Sequence, residues 1–178
     1  MNPLLTELEG RIPADLFNAL ATLPPSLALA RIAYKRATPD TVRQRRGAFS
    51  TIKSEFLQYM ANHHAENLRA MNLTDQSIEA MRLYGMFPQN RPGERMDMSV
   101  DHKRSLSMGG DNGFDNLMLL PDRFNALKDE LEKAQRSDTT NTQASLITIL
   151  PADPGDQIPF IPGGFAKASR KSKMPEHA

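Results

Sequence analysis

The sequence predicts an α+β chain of 178 residues. It has a mostly helical N-terminal part over 1–72, a strand, loop, strand and helix unit within 73–136, and an extended, Pro-rich, basic and partly disordered tail over 137–178. Three observations carry this reading. Apolar residues recur at helical spacing through the first seventy positions. The run "MDMSVDHKRSLSMGGDNGFDNLMLL" sets Gly-rich turn chemistry between two short apolar stretches, the mark of two strands closed by a loop. Finally, "PADPGDQIPFIPGG" holds proline at a density that prevents regular structure.

Taken in order, "PADLFNALATL" places Leu16, Phe17, Leu20 and Leu23 on one helical stripe, which Pro24 and Pro25 stop. Ser26 can cap a second helix through "LALARIAYKRA". Thr38 then caps a long helix with Pro39 at its first position, where the missing N–H costs nothing. That helix is expected to reach about Ala70 on a stripe of Val42, Phe49, Ile52, Phe56 and Met60, with Gly47 marking a place for a bend. Thr74 caps "DQSIEAMRLYG", which Gly85 closes, and "MFPQNRPGER" reads as a loop. Strands at "MDMSVDH" and "NLMLL" flank "GGDNG", where Gly109, Gly110, Asn112 and Gly113 all tolerate positive φ. Pro121 or Asp122 starts a helix to roughly Gln135, and "SLITIL" offers one further strand after the polar "RSDTTNTQ". Ile158, Phe160 and Ile161 are expected to lay the Pro-rich segment along the domain, with the last dozen residues disordered.

Composition narrows the function. No apolar run approaches the ~18 residues of a membrane span, so no membrane is expected, and "MNPLLTELEGRIP" lacks the pattern of a secretory signal peptide. The absence of cysteine excludes disulfides and thiolate zinc sites, which leaves His, Asp, Glu, Asn or water to hold any metal. The net charge of +1 supplies no global pull toward nucleic acid. Locally, Arg31, Lys35, Arg36, Arg43, Arg45, Arg46 and Lys53 face only Asp40, a local excess of +6. Such a run can be a solvated face; alternatively Arg43, Arg45, Arg46 and Lys53 hold nucleic-acid phosphates. Lys167, Arg170, Lys171 and Lys173 form a second basic cluster. His63 and His64 look like metal ligands, but helical neighbours point roughly 100° apart, so a structural or surface role is expected.

The helix after "NLMLL" carries Asn125, Lys128 and Asp129 on one face, with Phe124, Leu127 and Leu131 on its apolar stripe. If it packs across the hairpin, Asn125 approaches Asp101 and His102. A carboxylate and an amide oxygen suit Mg²⁺, and an adjacent histidine with an exposed imidazole could take a proton from an attacking water. Lys128 has two readings, a phosphate contact or a complement to Asp129 or Glu132, and Arg104 is an equal candidate for the phosphate.

These residues resemble the HNH nuclease motif, also called the ββα-metal or His-Me finger. An Asp-His pair ends the first strand, a Gly-rich loop follows, Asn-Leu opens the second strand, and an Asn lies on the helix. Asn116 follows His102 by 14 residues and Asn125 follows Asn116 by 9, spacings similar to those of the HNH domain of RNA-guided DNA nucleases, which likewise carry Lys three residues further on. The resemblance implies that His102 is the general base, that Asp101 and Asn125 hold the metal, and that Asn116 ties the loop so that the histidine is oriented. Asp129 has the spacing of a further ligand. Asn rather than His at the third motif position resembles members using Mg²⁺ or Mn²⁺ in preference to Zn²⁺ or Ni²⁺. The preceding "LTDQSIEAMRLYGMFPQN" looks like the HNH-type toxin domains of bacterial polymorphic toxins and secreted effectors. That likeness implies a DNA endonuclease on duplex DNA, a cognate immunity protein, a cytoplasmic site of action, and export without a signal peptide. A phage or DNA-processing HNH nuclease, or a non-catalytic nucleic-acid or partner-binding module on the same fold, fits the same residues.

Overall fold

A computed structural model of the chain describes residues 2–87, 89–91, 94–137 and 145–166. The expected disorder of the last dozen residues and the cluster of Lys167, Arg170, Lys171 and Lys173 lie outside the described residues, as does most of the polar stretch after Arg136. The elements run α1 (Pro3–Leu8), α2 (Ala14–Leu20), β1 (Leu27–Ala33), α3 (Pro39–His63), α4 (Ala65–Ala70), α5 (Asp75–Tyr84), β2 (Gln89–Arg91), β3 (Glu94–Arg95), β4 (Ser99–His102), β5 (Leu117–Leu120), α6 (Asp122–Ser137) and β6 (Ser145–Pro151). The fold is α+β. Among the described residues the strands form three antiparallel pairs, β1 with β6, β2 with β3, and β4 with β5.

Local chemistry explains several helix ends. Asn2, Thr38 and Thr74 each cap a helix by accepting a backbone N–H, from Leu4, Thr41 and Ser77 respectively. Gly85 ends α5 in the left-handed region, as its place after the apolar stripe predicts. Gly47 does not interrupt α3, which runs from Pro39 to His63. The long helix does not reach Ala70 as one element, because His64 leaves helical geometry and α4 restarts behind it.

Two expectations are overturned. "LALARIA" is a strand, and Ser26 caps no helix: its hydroxyl donates to the Phe160 carbonyl and its own carbonyl accepts from Ala152 N. Leu, Ala and Arg favour helices in isolation, but the same residues also alternate, burying Leu27 and Leu29. The β-branched strand β6, inward-facing at almost every position, requires a partner along its full length, and Leu27 to Ala33 pair with it from Pro151 to Ser145. Tertiary pairing overrides a weak local preference. The second concerns the loop before the hairpin, which contains the short β2–β3 ladder.

One apolar core joins all three segments of the chain. Phe56, Leu57 and Met60 of α3, Ile78 and Met81 of α5, all of β5, Leu131 of α6 and Ile147 and Ile149 of β6 belong to it, with Leu8 at one end of the chain and Phe165 at the other. The Pro-rich segment is irregular yet packed. Gln157 supplies a carbonyl to Leu119 N at 2.7 Å, and Ile158, Ile161 and Phe165 are buried. Phe160, expected to anchor it, is 58% exposed.

Helix α6 is tied to β6 by a buried amide. Gln135 accepts from Ile147 N at 2.8 Å and donates to Ile147 O at 2.6 Å. Replacing it by Leu keeps the volume but leaves both backbone groups unpaired. Gln135→Leu is therefore expected to destabilise the fold by about 2–4 kcal/mol, read from the urea midpoint; an unchanged midpoint would show that β6 needs no such tie.

Candidate active site

The hairpin β4–β5 and helix α6 form the frame. In β4 side chains alternate, so Val100 and His102 turn inward while Asp101 points the other way, toward α6. Asp101 pairs with Met118 and His102 with Leu117 across the ladder. Between the strands the chain makes two 3-10 turns, Leu106–Met108 and Phe114–Asn116.

Asn116 holds this loop closed. Its Oδ1 accepts from Arg104 N at 2.9 Å, and its Nδ2 donates to Arg104 O at 3.0 Å and Asp111 O at 2.8 Å. Only Gly109 of the predicted turn residues uses positive φ, at 87°. Gly110 is required for a different reason: a Cβ there would lie 1.8 Å from the Arg104 carbonyl oxygen. Arg104 thus contributes its backbone to the loop.

His102 departs from expectation in being buried, with 8% of its surface exposed. Its ring lies 4.5 Å from that of Phe49 on α3, which packs there because Val100 and His102 share the inward face. Nε2 is 2.9 Å from Asn112 Oδ1, and Asn112 Nδ2 donates to Arg45 O at 2.9 Å. The second bond orients the amide, so the oxygen faces the imidazole; Nε2 then carries the proton and Nδ1 is left basic. Burial holds the imidazole pKa down, opposed by the Asn112 hydrogen bond and the Asp101 charge. From the sequence Asn112 reads as a turn residue only. No local signal distinguishes the two roles, because the partner carbonyl comes from α3.

Asp101, Lys128 and Glu132 form a buried charge cluster. Lys128 is 2% exposed and its Nζ is 2.8 Å from Glu132 Oε1 and 3.3 Å from Asp101 Oδ2. Glu132 also accepts from Ser105 Oγ and Thr148 Oγ1, each at 2.6 Å. Of the two readings of Lys128, the structure places it as a complement to carboxylates. Burial alone would depress its pKa, but Asp101 and Glu132 outweigh that and raise it. Asp101 is pushed up, by burial first and by the Glu132 charge, against the pull of Lys128. Among the described residues the buried Oδ2 of Asp101 has the Lys128 ammonium, at 3.3 Å, as its partner and no closer donor.

Asp101, Asn125 and Asp129 line one cavity of about 460 Å³, together with Lys128 and Glu132. Asp101, Asp129 and Glu132 also line a second, of about 570 Å³, with His102, Arg46 and Arg136. The two share Asp101, Ser105, Asp129 and Glu132 as wall. Asp129 is half exposed and pairs with Lys133 at 2.6 Å. Among the described residues no group of three or more His, Asp or Glu side chains is placed to hold a metal. The candidate donors are two carboxylates and one amide. Such hard oxygens fit a cation that keeps most of its waters, such as Mg²⁺ or Mn²⁺, better than Zn²⁺, in competition with Lys128 at Asp101 Oδ2.

The basic residues are dispersed. Arg31 lies on β1 and pairs with Glu7. Arg43 and Arg46 are exposed on α3, Arg43 being 3.0 Å from Asp40. Arg45 donates to the Gly110 carbonyl, and Lys53 stands 5.1 Å from the centre of the Phe87 ring. His63 stacks on Tyr59 and bonds its carbonyl through Nδ1.

Burial alone would raise the Glu132 carboxyl pKa, but Lys128, Ser105 and Thr148 outweigh it and hold it below its ordinary value. A depressed folded value means that the ionised carboxylate stabilises fully above pH 4.5 and that this contribution is lost as pH falls through the lower, folded value. Glu132→Gln is expected to cost about 3 kcal/mol at neutral pH, with the gap from wild type closing in denaturation curves taken below pH 4.5. A gap constant with pH would show that Glu132 is not ionised in the fold.

Comparison with known proteins yields no match: no family model, no curated protein and no solved structure matches the chain.

Proposed function

We propose that the chain is a metal-dependent DNA endonuclease of the HNH type, acting as an antibacterial toxin or effector. The observation that carries the reading is that Asp101, at the end of β4, lines two cavities, one shared with Asn125 and the other with His102. The toxin assignment rests on the likeness of "LTDQSIEAMRLYGMFPQN" and the core after it to such domains.

His102 acts through Nδ1, accepting the proton of a water as that water attacks phosphorus. Asn112 fixes the tautomer through Nε2, and Asn116 holds the strand end from which the imidazole projects. Asp101 and Asn125, with Asp129 at the rim, would hold Mg²⁺ or Mn²⁺. Such a cation supplies charge stabilisation for the phosphate and the leaving oxygen. Lys128 holds Asp101 from behind, and Glu132 holds Lys128. Arg104 and the arginines of α3 are the remaining candidates for phosphate contact.

The purified protein is expected to nick plasmid DNA with Mg²⁺ or Mn²⁺ and to be inert in EDTA. His102→Asn, which keeps a polar side chain in the buried position, should lose about 10²–10⁴-fold in rate with its melting temperature nearly retained. Full activity in this variant, or in EDTA, would remove the mechanism. Asp101→Asn and Asn125→Ala should each weaken metal binding in calorimetry, whereas Asn116→Ala should slow cleavage with metal affinity unchanged. Induced in a bacterial cytoplasm, the wild type should stop growth and His102→Asn should not.

A second reading, a non-catalytic nucleic-acid-binding module, is favoured by the Lys128 ammonium lying against Asp101, where a cation must compete with it. Metal-independent DNA binding with no nicking under any divalent cation would select it.

A further inference from the structure

Three separated elements bring four guanidinium groups to one groove. The link from β1 to α3 contributes Arg36, the first turns of α3 contribute Arg43 and Arg46, and the last turn of α6 contributes Arg136. The groove holds about 600 Å³, and no carboxylate lines it. Arg136 donates to Ser107 Oγ on its wall at 3.3 Å. Arg43 pairs with Asp40, but both side chains are mostly in solvent, so the pair is easily exchanged. Among the described residues neither Arg36 nor Arg46 has a carboxylate partner. Pro39 and Val42 place the N-terminal end of the 25-residue α3, with its positive dipole end, on the same groove.

Four positive groups converging with Asp40, itself in solvent, as their one carboxylate partner among the described residues call for an anion, and planar guanidiniums match phosphate oxygens two at a time. The spread of the groups over three elements exceeds what one phosphate can neutralise. A chain of phosphates is required, and its course is indicated by shared walls: Arg46, Ser107 and Arg136 line both this groove and the cavity at His102. Resting on the nuclease reading above, we infer that the groove of Arg36, Arg43, Arg46 and Arg136 is the track of the nucleic-acid backbone beyond the scissile phosphate. The track differs from the basic run of the sequence. It gains Arg36 and Arg136, and it leaves aside Arg45, engaged by the Gly110 carbonyl, and Lys53, which lies over the Phe87 ring.

The test measures binding apart from cleavage. A fluorescent DNA duplex is titrated with the full chain in EDTA over a series of KCl concentrations. Arg36→Gln combined with Arg46→Gln, both at exposed positions, is expected to weaken binding more than tenfold at low salt. The salt slope should fall by about 0.9 per lost phosphate contact, or roughly 1.8 for the pair. The corresponding double Lys variant keeps the charges and should keep most of the slope, while Arg69→Gln on α4 should match wild type. Wild-type affinity and slope in the double Gln variant, or an equal loss in Arg69→Gln, would overturn the inference. Plasmid nicking with Mg²⁺, measured separately, reports on the nuclease reading. Nicking with groove-independent binding sinks the track alone, and groove-dependent binding without nicking sinks the nuclease reading and leaves the track standing.

Discussion

The burial of the Lys128 ammonium between Asp101 and Glu132 is the constraint on which the arrangement of the site depends. Taking these charges out of water costs several kcal/mol each unless every partner is in place. The partners come from four places: Asp101 from β4, Glu132 from α6 itself, Ser105 from the loop and Thr148 from β6. A shift of α6 along its axis by one residue would carry Lys128 away from Asp101 and strand at least two buried charges. Apolar packing by Leu131 tolerates such slippage far better, because dispersion and burial are not directional. The charge cluster therefore selects one register of helix over hairpin, and Gln135, one turn further on, locks the same register onto Ile147.

The second half of the site is organised by α3, an element that the hairpin motif itself does not contain. Its Phe49 packs on His102, the Arg45 carbonyl orients Asn112, and the Arg45 guanidinium holds the Gly110 carbonyl. The imidazole is thereby buried and confined to one tautomer, a degree of preorganisation that a loop alone would not impose. The side of the hairpin facing α6 gathers carboxylates, whereas the side facing α3 gathers the histidine and leads to the arginine groove.

Local signals were sufficient where one residue decides a backbone geometry. The caps at Thr38 and Thr74 and the stop at Gly85 are legible, because each rests on hydrogen bonds or φ angles within a few positions, whereas the loop-tying place of Asn116, which bonds Arg104 twelve residues away, is implied by the motif resemblance alone. The error at "LALARIA" has the opposite origin. Its partner strand starts more than a hundred residues later, and only that pairing converts a helix-compatible stretch into β1.

The sequence by itself determined the α+β class, the spacing of Asp101, His102, Asn116 and Asn125, and the helix face carrying Lys128, since periodicity and turn chemistry are properties of neighbouring residues. Only the tertiary structure decided that His102 is buried, that Asn112 sets its tautomer, that Lys128 faces carboxylates, and that Arg36 and Arg136 join Arg43 and Arg46 on one groove. Each of these is a contact between elements distant in sequence, and its sign depends on which faces meet. That is set by burial and charge compensation over the whole chain, which no local pattern encodes.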